Sequence, residues 1–286
     1  MTPELFCGDA AEVLGAQLGD RTVDLTFLDP PFNQRKDYAY WDDSRGETDY
    51  WFAMQQVCKL IAVRTVAGGA IYFMQREKNT HWVMQTLLEA GWTFQNLIVW
   101  KKRTSAVPIR GRYGKSYQIL VYATKGQRPK TFNRLRINPP LPAHYKHPRP
   151  NGIFVTDVWD DIRELTAGYF AGDEALRTAQ GDRQHKQQSP IALLLRILLT
   201  SSQPGDVVLD PFAGTGTTLV VASQLGRASV GIEIDPGNVV CIQQRLAARR
   251  AVDAVNVYAA DYVCTDQLMR IWGPSLPSLC LAAPAE

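Results

Sequence analysis

Val23-Asp24-Leu25-Thr26-Phe27-Leu28-Asp29-Pro30-Pro31-Phe32 is an apolar run that closes on a carboxylate, two rigid residues and an aromatic expected to be exposed. Strand C-termini are where open α/β sheets place their ligands. A second run, Val207-Val208-Leu209-Asp210, ends in Pro211-Phe212-Ala213-Gly214-Thr215-Gly216-Thr217, a glycine-rich turn that opens a helix. The first loop suits a flat ring and the second a larger ligand. Their pairing and their order along the chain set the fold class.

Working outward, the first half alternates apolar runs with helical patterns. Strands are expected at 5–7, 23–28, 69–74, 94–100 and 118–124, with helices at 10–18, 50–66 and 78–90. That alternation predicts βαβ units and a mainly parallel sheet. The 94–100 and 118–124 strands have no helix between them, so they predict an antiparallel hairpin at one edge. From about 126 to 182 the pattern breaks into a segment rich in proline and basic residues, too long for an ordinary loop and read as a small inserted module. Regularity resumes with a helix to Leu199, a strand at 207–209, a helix at 217–226, a strand at 229–234 and a helix from Gly237 to about Ala251. Residues beyond about Cys264 read as a tail.

Composition narrows the class. The chain has 286 residues, 45% hydrophobic and 21% charged, as in ordinary globular proteins. No apolar stretch approaches the roughly 20 residues that cross a bilayer. The longest, Ile191 to Leu199, contains Arg196 and reads as a buried helix. The N-terminus Met1-Thr2-Pro3-Glu4 lacks a signal-peptide pattern, so no membrane association and a cytoplasmic location are expected. Five cysteines without CxxC spacing argue against a disulfide framework or a zinc site.

The glycine turn has a physical logic. Gly214 and Gly216 let the backbone approach a ligand, and the following helix offers free N–H groups. Glu233 ends the next strand 23 residues after Asp210, near the roughly 20-residue offset of ribose-binding acids. A nicotinamide dinucleotide is the rival ligand, but Leu219 stands where the third glycine of G-x-G-x-x-G would fall. An adenosine ligand with a charged amino-acid end fits better.

Phe212-Ala213-Gly214-Thr215-Gly216 resembles the FxGxG motif with which amino-group DNA methyltransferases bind S-adenosyl-L-methionine (AdoMet). Asp29-Pro30-Pro31-Phe32 resembles their catalytic [DNS]PP[YF] motif, and His185-Lys186-Gln187-Gln188-Ser189-Pro190 resembles their H-P-T-Q-K-P element. Phe6-Cys7-Gly8-Asp9 is similar to the acidic strand end that faces the cofactor's adenine, with Asp261 as a rival. Catalytic motif first and cofactor motif last is the order of the β class. The chain departs from the family by lacking a His-Glu pair near Ser116-Tyr117-Gln118 and by carrying Ser189 in place of a lysine.

The resemblance implies a Rossmann-like AdoMet-dependent methyltransferase fold with a target-recognition insert. Residues 1–125 would form the catalytic half, 126–183 the insert, 184–264 the AdoMet half of the same domain and 265–286 a C-terminal tail. It implies Asp29, Pro30, Pro31 and Phe32 as catalytic residues, with Phe32 stacking on the base. AdoMet would meet Asp9, Gln188, Asp210, Phe212, Ala213, Gly214, Gly216, Thr217 and Glu233. Asn33, Lys36 and Tyr38 either line the site or form a plain surface loop.

An exocyclic amine is a poor nucleophile because its lone pair is delocalised into the ring. Acceptors at the Asp29 carboxylate and the Pro30 carbonyl would return electron density to nitrogen, which could then attack the methyl group in line without a metal. A base inside a duplex must be flipped out to reach such a loop. Lys101, Lys102, Arg103, Arg110, Arg112 and Lys115 cluster between the edge strands and suit DNA phosphates. His144, Tyr145, His147 and Arg149 of the insert could reach base edges.

The leading reading is a site-specific double-stranded DNA methyltransferase, with adenine-N6 favoured because Asp-Pro-Pro is usual for it. Cytosine-N4 is the alternative, an RNA or protein-glutamine methyltransferase a more distant one. A non-catalytic DNA-binding module is the reading from another class. The class also admits a homodimer and a cognate restriction endonuclease.

Overall fold

The computed structural model describes residues 2–36, 39–103, 107–108, 110–138, 149–165, 172–177, 180–181 and 188–277. In chain order the first half runs β1 (Glu4–Cys7), α1 (Ala10–Ala16), β2 (Val23–Leu28), α2 (Glu47–Arg64), β3 (Thr65–Arg76), α3 (Thr80–Glu89), β4 (Thr93–Lys101) and β5 (Tyr117–Thr124). Three two-residue strands follow, β6 (Arg136–Ile137), β7 (Ile153–Phe154) and β8 (Val158–Trp159). The chain then forms α4 (Ile191–Ser201), β9 (Val207–Asp210), α5 (Thr217–Gln224), β10 (Ala228–Glu233), α6 (Pro236–Ala247) and α7 (Leu268–Trp272).

Eight strands form one sheet in the order β1-β10-β9-β2-β3-β5-β4-β8. Only β5 runs against its neighbours, pairing antiparallel with both β3 and β4. The expected hairpin is therefore present, and β8 adds two parallel residues outside it. Consecutive strands diverge from the β9–β2 pair, where Leu25 faces Val208 and Thr26 faces Leu209. A crevice at such a switch point is where doubly wound sheets bind ligands.

The sheet is covered on both faces, which is why β3 reads as a continuous apolar run rather than an alternating one. Tyr72 and Met74 pack with α4 and α5 on one face, while Ile71 and Phe73 meet α1, α2 and α3 on the other. Helix α4 is buried at every position except Ala192, which is partly covered. Its one charge, Arg196, is satisfied by a bidentate pair with Asp161 and by the Tyr262 hydroxyl at 3.2 Å. A buried cation without those acceptors would be strongly destabilising.

Two segments differ from their sequence patterns. The described parts of the 126–182 segment are not set apart: Leu135, Trp159 and Ile162 belong to the core around α4. Residues 265–277, expected as tail, include α7, whose Leu268, Ile271 and Trp272 are buried in that core. Helix α6 also stops at Ala247, short of the expected end near Ala251.

Candidate active site

A cleft of about 920 Å³, counted to its open mouth, lies across the C-terminal ends of β1, β10, β9 and β2. Asp29, Pro30 and Pro31 form its wall at the end of β2, and the β9–α5 turn lies opposite with Asp210, Phe212, Ala213, Gly214 and Thr217. Glu233 enters from β10 and Asp9 from β1. The Gly8 amide donates to the Glu233 carbonyl at 3.0 Å, holding those two strand ends together. The cleft thus gathers most of the residues expected to act together.

Three expected residues stand elsewhere. Phe32 is buried at 2% exposure in the core beside α4, so its ring is removed from water by packing and does not line the cleft. The aromatic surface at the rim is Tyr40, 56% exposed. Gln188 is turned away: its amide oxygen accepts from the Leu176 amide at 2.9 Å and its nitrogen donates to the Glu174 carbonyl at 3.0 Å. Gly216 shapes the turn rather than lining the cleft. Its φ is +73°, and a Cβ there would stand 2.8 Å from Ile242 Cγ2. Of the two rival aspartates, Asp9 lines the cleft and caps α1 through the Ala11 amide at 2.8 Å. Asp261 lies in a different cavity with Asp161 and Arg196. His185, Lys186 and Gln187, like Tyr38, His144, Tyr145 and His147, lie outside the described residues.

The acids of the cleft share an electrostatic signature. Burial pushes the Asp29 carboxyl up to about 8, with nearby Asp210 adding to the shift while Ser189, Lys36 and Lys102 oppose it. Burial likewise raises Asp210 to about 7, against hydrogen bonds from Thr218 and Phe212. Glu233 is raised by burial although the Gly214 and Asp235 amides donate to it at 2.7 and 2.9 Å. Carboxyls raised by burial gain most from a cation placed among them. A ligand with positive charge at its centre and a ribose for Glu233 fits this donor set.

The loop after Phe32 is built around a residue with no signal in the sequence. Asp43, 3% exposed, accepts from the amides of Asn33, Gln34 and Lys36 at 2.7, 2.9 and 3.0 Å. Asn33 and Arg35 both adopt positive φ, at 52° and 60°. The proline pair is braced from beneath. Tyr50 donates its hydroxyl to the Pro31 carbonyl at 2.7 Å, and Gln75 donates to Tyr50 at 3.0 Å. Ser189, noticed in the sequence only as a departure, donates to Asp29 Oδ2 at 3.0 Å.

The basic loop between β4 and β5 emerges at the same end of the sheet, because β4 runs parallel to β2 and β3. Lys101, Arg103, Arg110 and Arg112 are exposed. Lys102 is half-buried over the Trp100 ring at 5.9 Å, and burial lowers its pKa against the pull of Glu164 and Asp29. Lys115 is paired with Glu77 at 2.9 Å.

A doubly wound sheet, a glycine turn with a ribose-type acid on the next strand, and a proline-braced carboxylate on the adjoining strand define the Rossmann-like methyltransferase class. The sequence pattern of the DNA methylase family (N6_N4_Mtase) matches residues 23–244, and the chain belongs to that family. It is 31% identical over 258 residues to Type II methyltransferase M.BamHI of Bacillus amyloliquefaciens, covering 85% of this chain and 56% of that protein. It is 30% identical over 276 residues to DNA adenine methyltransferase YhdJ of Escherichia coli strain K12, covering 89% of this chain and 84% of that one. The chain thus spans little more than half the length of M.BamHI and most of YhdJ. Among solved structures, the M1.HpyAVI–SAM complex superposes with a TM-score of 0.60 at 21% identity, covering 86% of this chain and all of that one. PvuII DNA methyltransferase, cytosine-N4-specific, gives 0.64 at 15% identity over 88% and 89% of the two chains. These structures share the fold.

Proposed function

We propose that this chain transfers the methyl group of AdoMet to the N6 amine of an adenine flipped out of double-stranded DNA. The observation that carries the reading is a single cleft. The Asp29-Pro30-Pro31 wall and the Asp210–Thr217 turn face one another across adjacent strand ends. When bound, AdoMet supplies a methyl group on a positively charged sulfur.

Glu233 and Asp9 are placed to take its ribose and adenine, and the acidic floor of Asp29 and Asp210 to favour its charge. The Asp29 carboxylate accepts one N–H of the target amine. Tyr50 already occupies the Pro31 carbonyl, which leaves the Pro30 carbonyl as the neighbouring acceptor. With both N–H groups held, the nitrogen lone pair would be free to attack the methyl group that AdoMet supplies. The N–C bond would form as the S–C bond breaks, the sulfur would leave as a neutral thioether, and the methylated amine would then give up a proton. Asp29, with its raised affinity for protons, can receive it. The exposed cations of the β4–β5 loop would hold phosphates beside the cleft. Base stacking falls to Tyr40 at the rim, since Phe32 is packed in the core.

Adenine is favoured over cytosine by the aspartate at position 29 and by the similarity to an adenine methyltransferase over 84% of its length. A homodimer, a partner endonuclease and recognition by the 126–182 segment are further parts of this proposal. Among the described residues no helix is long and apolar enough to cross a membrane. The deciding experiment incubates DNA with the protein and AdoMet, digests it and weighs the nucleosides. N6-methyl-2′-deoxyadenosine is expected; N4-methyl-2′-deoxycytidine would replace the target base, and no modified nucleoside would overturn the reading.

A further inference from the structure

The hydrogen bond that joins two distant segments of the chain at the reacting carboxylate has a role of its own. Ser189 and Asp29 are 160 residues apart, yet Ser189 Oγ lies 3.0 Å from Asp29 Oδ2 at the wall of the cleft. We propose that Ser189 is a positioning residue for methyl transfer: its hydroxyl holds Oδ2 of Asp29 and leaves Oδ1 to receive the target amine. The inference rests on the methyltransferase reading and deepens it.

The serine is fixed from both sides. Gln188 before it is tied at both ends of its amide to the 174–176 segment. Pro190 after it has φ at −68° and caps α4, and the Ile191 amide donates to Glu174 Oε1 at 2.6 Å. Gln188 therefore serves as an anchor for its neighbour rather than as a ligand. The aspartate is fixed from the other side by the strand end and by the Tyr50–Pro31 brace. Among the described residues no other side chain hydrogen-bonds to the Asp29 carboxylate.

A carboxylate turns freely about its last torsion, since that torsion has only a broad preference. One directional donor fixes the plane and so decides which oxygen faces the substrate. The same hydroxyl favours the ionised form in a place where burial and Asp210 disfavour it, in concert with the charges of Lys36 and Lys102. Supporting bonds of this kind, one step removed from the reacting atoms, are worth about 10- to 100-fold around metal ligands, and a loss of that order is the expectation at Asp29.

The test compares the full chain with its Ser189→Ala, Ser189→Thr and Asp29→Asn variants, and with Ser189→Ala combined with Asp29→Asn. Turnover on DNA is followed across pH, and AdoMet binding is followed by calorimetry. Ser189→Ala is expected to lower kcat at pH 7 by about 10- to 100-fold. AdoMet affinity should hold, and the pH midpoint of kcat/KM should move upward because the anion has lost its donor. Ser189→Thr, which keeps the hydroxyl, should recover most of the loss. In the Asp29→Asn background Ser189→Ala should cost little more, because the two act as a unit. Retained AdoMet binding shows that a variant is folded. Wild-type kcat with an unmoved midpoint in Ser189→Ala overturns the role of the serine alone. An inactive wild-type chain overturns the methyltransferase reading, and this inference with it.

Discussion

Asp29 and Asp210 occupy matching topological positions at the C-terminal ends of adjacent parallel strands, Asp210 as the last residue of β9 and Asp29 just after β2, and have opposite surroundings. Asp210 is 3% exposed and spent on its own loop. Thr218 Oγ1 donates to it at 2.5 Å and the Phe212 amide at 3.1 Å, so its carboxylate holds the glycine turn in shape. Asp29 has one serine and otherwise faces the cleft. The contrast teaches how one sheet separates structure from chemistry. A satisfied carboxylate builds a site, and an under-satisfied one is left for the substrate to complete.

The sharpest way to break this comparison is to remove each carboxylate in turn. Asp29→Ala is expected to cut methyl transfer by at least about 10³-fold, the upper range for loss of a single group that stabilises a transition state. Its melting temperature should stay close to wild type, and AdoMet should bind more weakly only at high pH, where the lost carboxylate would be charged. Incorporation of labelled methyl groups into DNA measures the first, and normal turnover would sink the assignment. Asp210→Ala strikes the other side of the contrast. It strands the buried Thr218 hydroxyl and the Phe212 amide, a loss of about 1–3 kcal/mol in stability. Denaturant unfolding should show Asp210→Ala as the less stable variant of the two. Equal stabilities would mean that the turn does not depend on its carboxylate.

Titration sharpens the comparison further. Both carboxyls bind protons more tightly folded than unfolded, so the stability they contribute is full below the ordinary carboxylate range. It is lost as pH rises through about 7 for Asp210 and about 8 for Asp29. Ligand-free protein should therefore melt lower at pH 9 than at pH 6. The cationic cofactor should raise the melting temperature more at pH 9, and Asp29→Asn should flatten the upper part of the loss. An AdoMet-induced shift that is the same at both pH values would separate the sulfonium from these acids.

The smallest effects belong to the basic loop, where single exposed cations act over solvent. Neutralising Arg110 and Arg112 together should weaken DNA binding at every sequence and lower the salt slope by about one per lost phosphate contact. Lys115, already paired with Glu77, should matter less. Binding measured over a salt series separates the two, and equal slopes would remove the loop from the DNA interface.

Much of this molecule is legible in short windows of sequence. The six residues of β2 and the four of β9 each carry their strand signal and their loop within about ten positions, and the glycine turn declares its helix. Asp9, Asp29, Asp210 and Glu233 are legible for the same reason: each is an acid at or just past the C-terminal end of an apolar strand run. Phe32 was misplaced because an aromatic after a proline pair reads alike whether it faces substrate or core. Gln188 was misplaced because its partners, Glu174 and Leu176, lie in an irregular segment with no periodicity to locate it. Asp43 and Tyr50 carry no local pattern at all, since their work is to hold backbone groups of a loop that folds back on them.

The sequence by itself determined the alternation of elements, the family and the two loops that line the cleft, because propensity, burial pattern and turn chemistry are local. Only the tertiary structure decided which carboxylate is satisfied and which is free. It set Ser189 against Asp29, sent Phe32 into the core and joined α7 to it. Those outcomes depend on contacts between residues far apart in the chain, which exist only once the strands have paired.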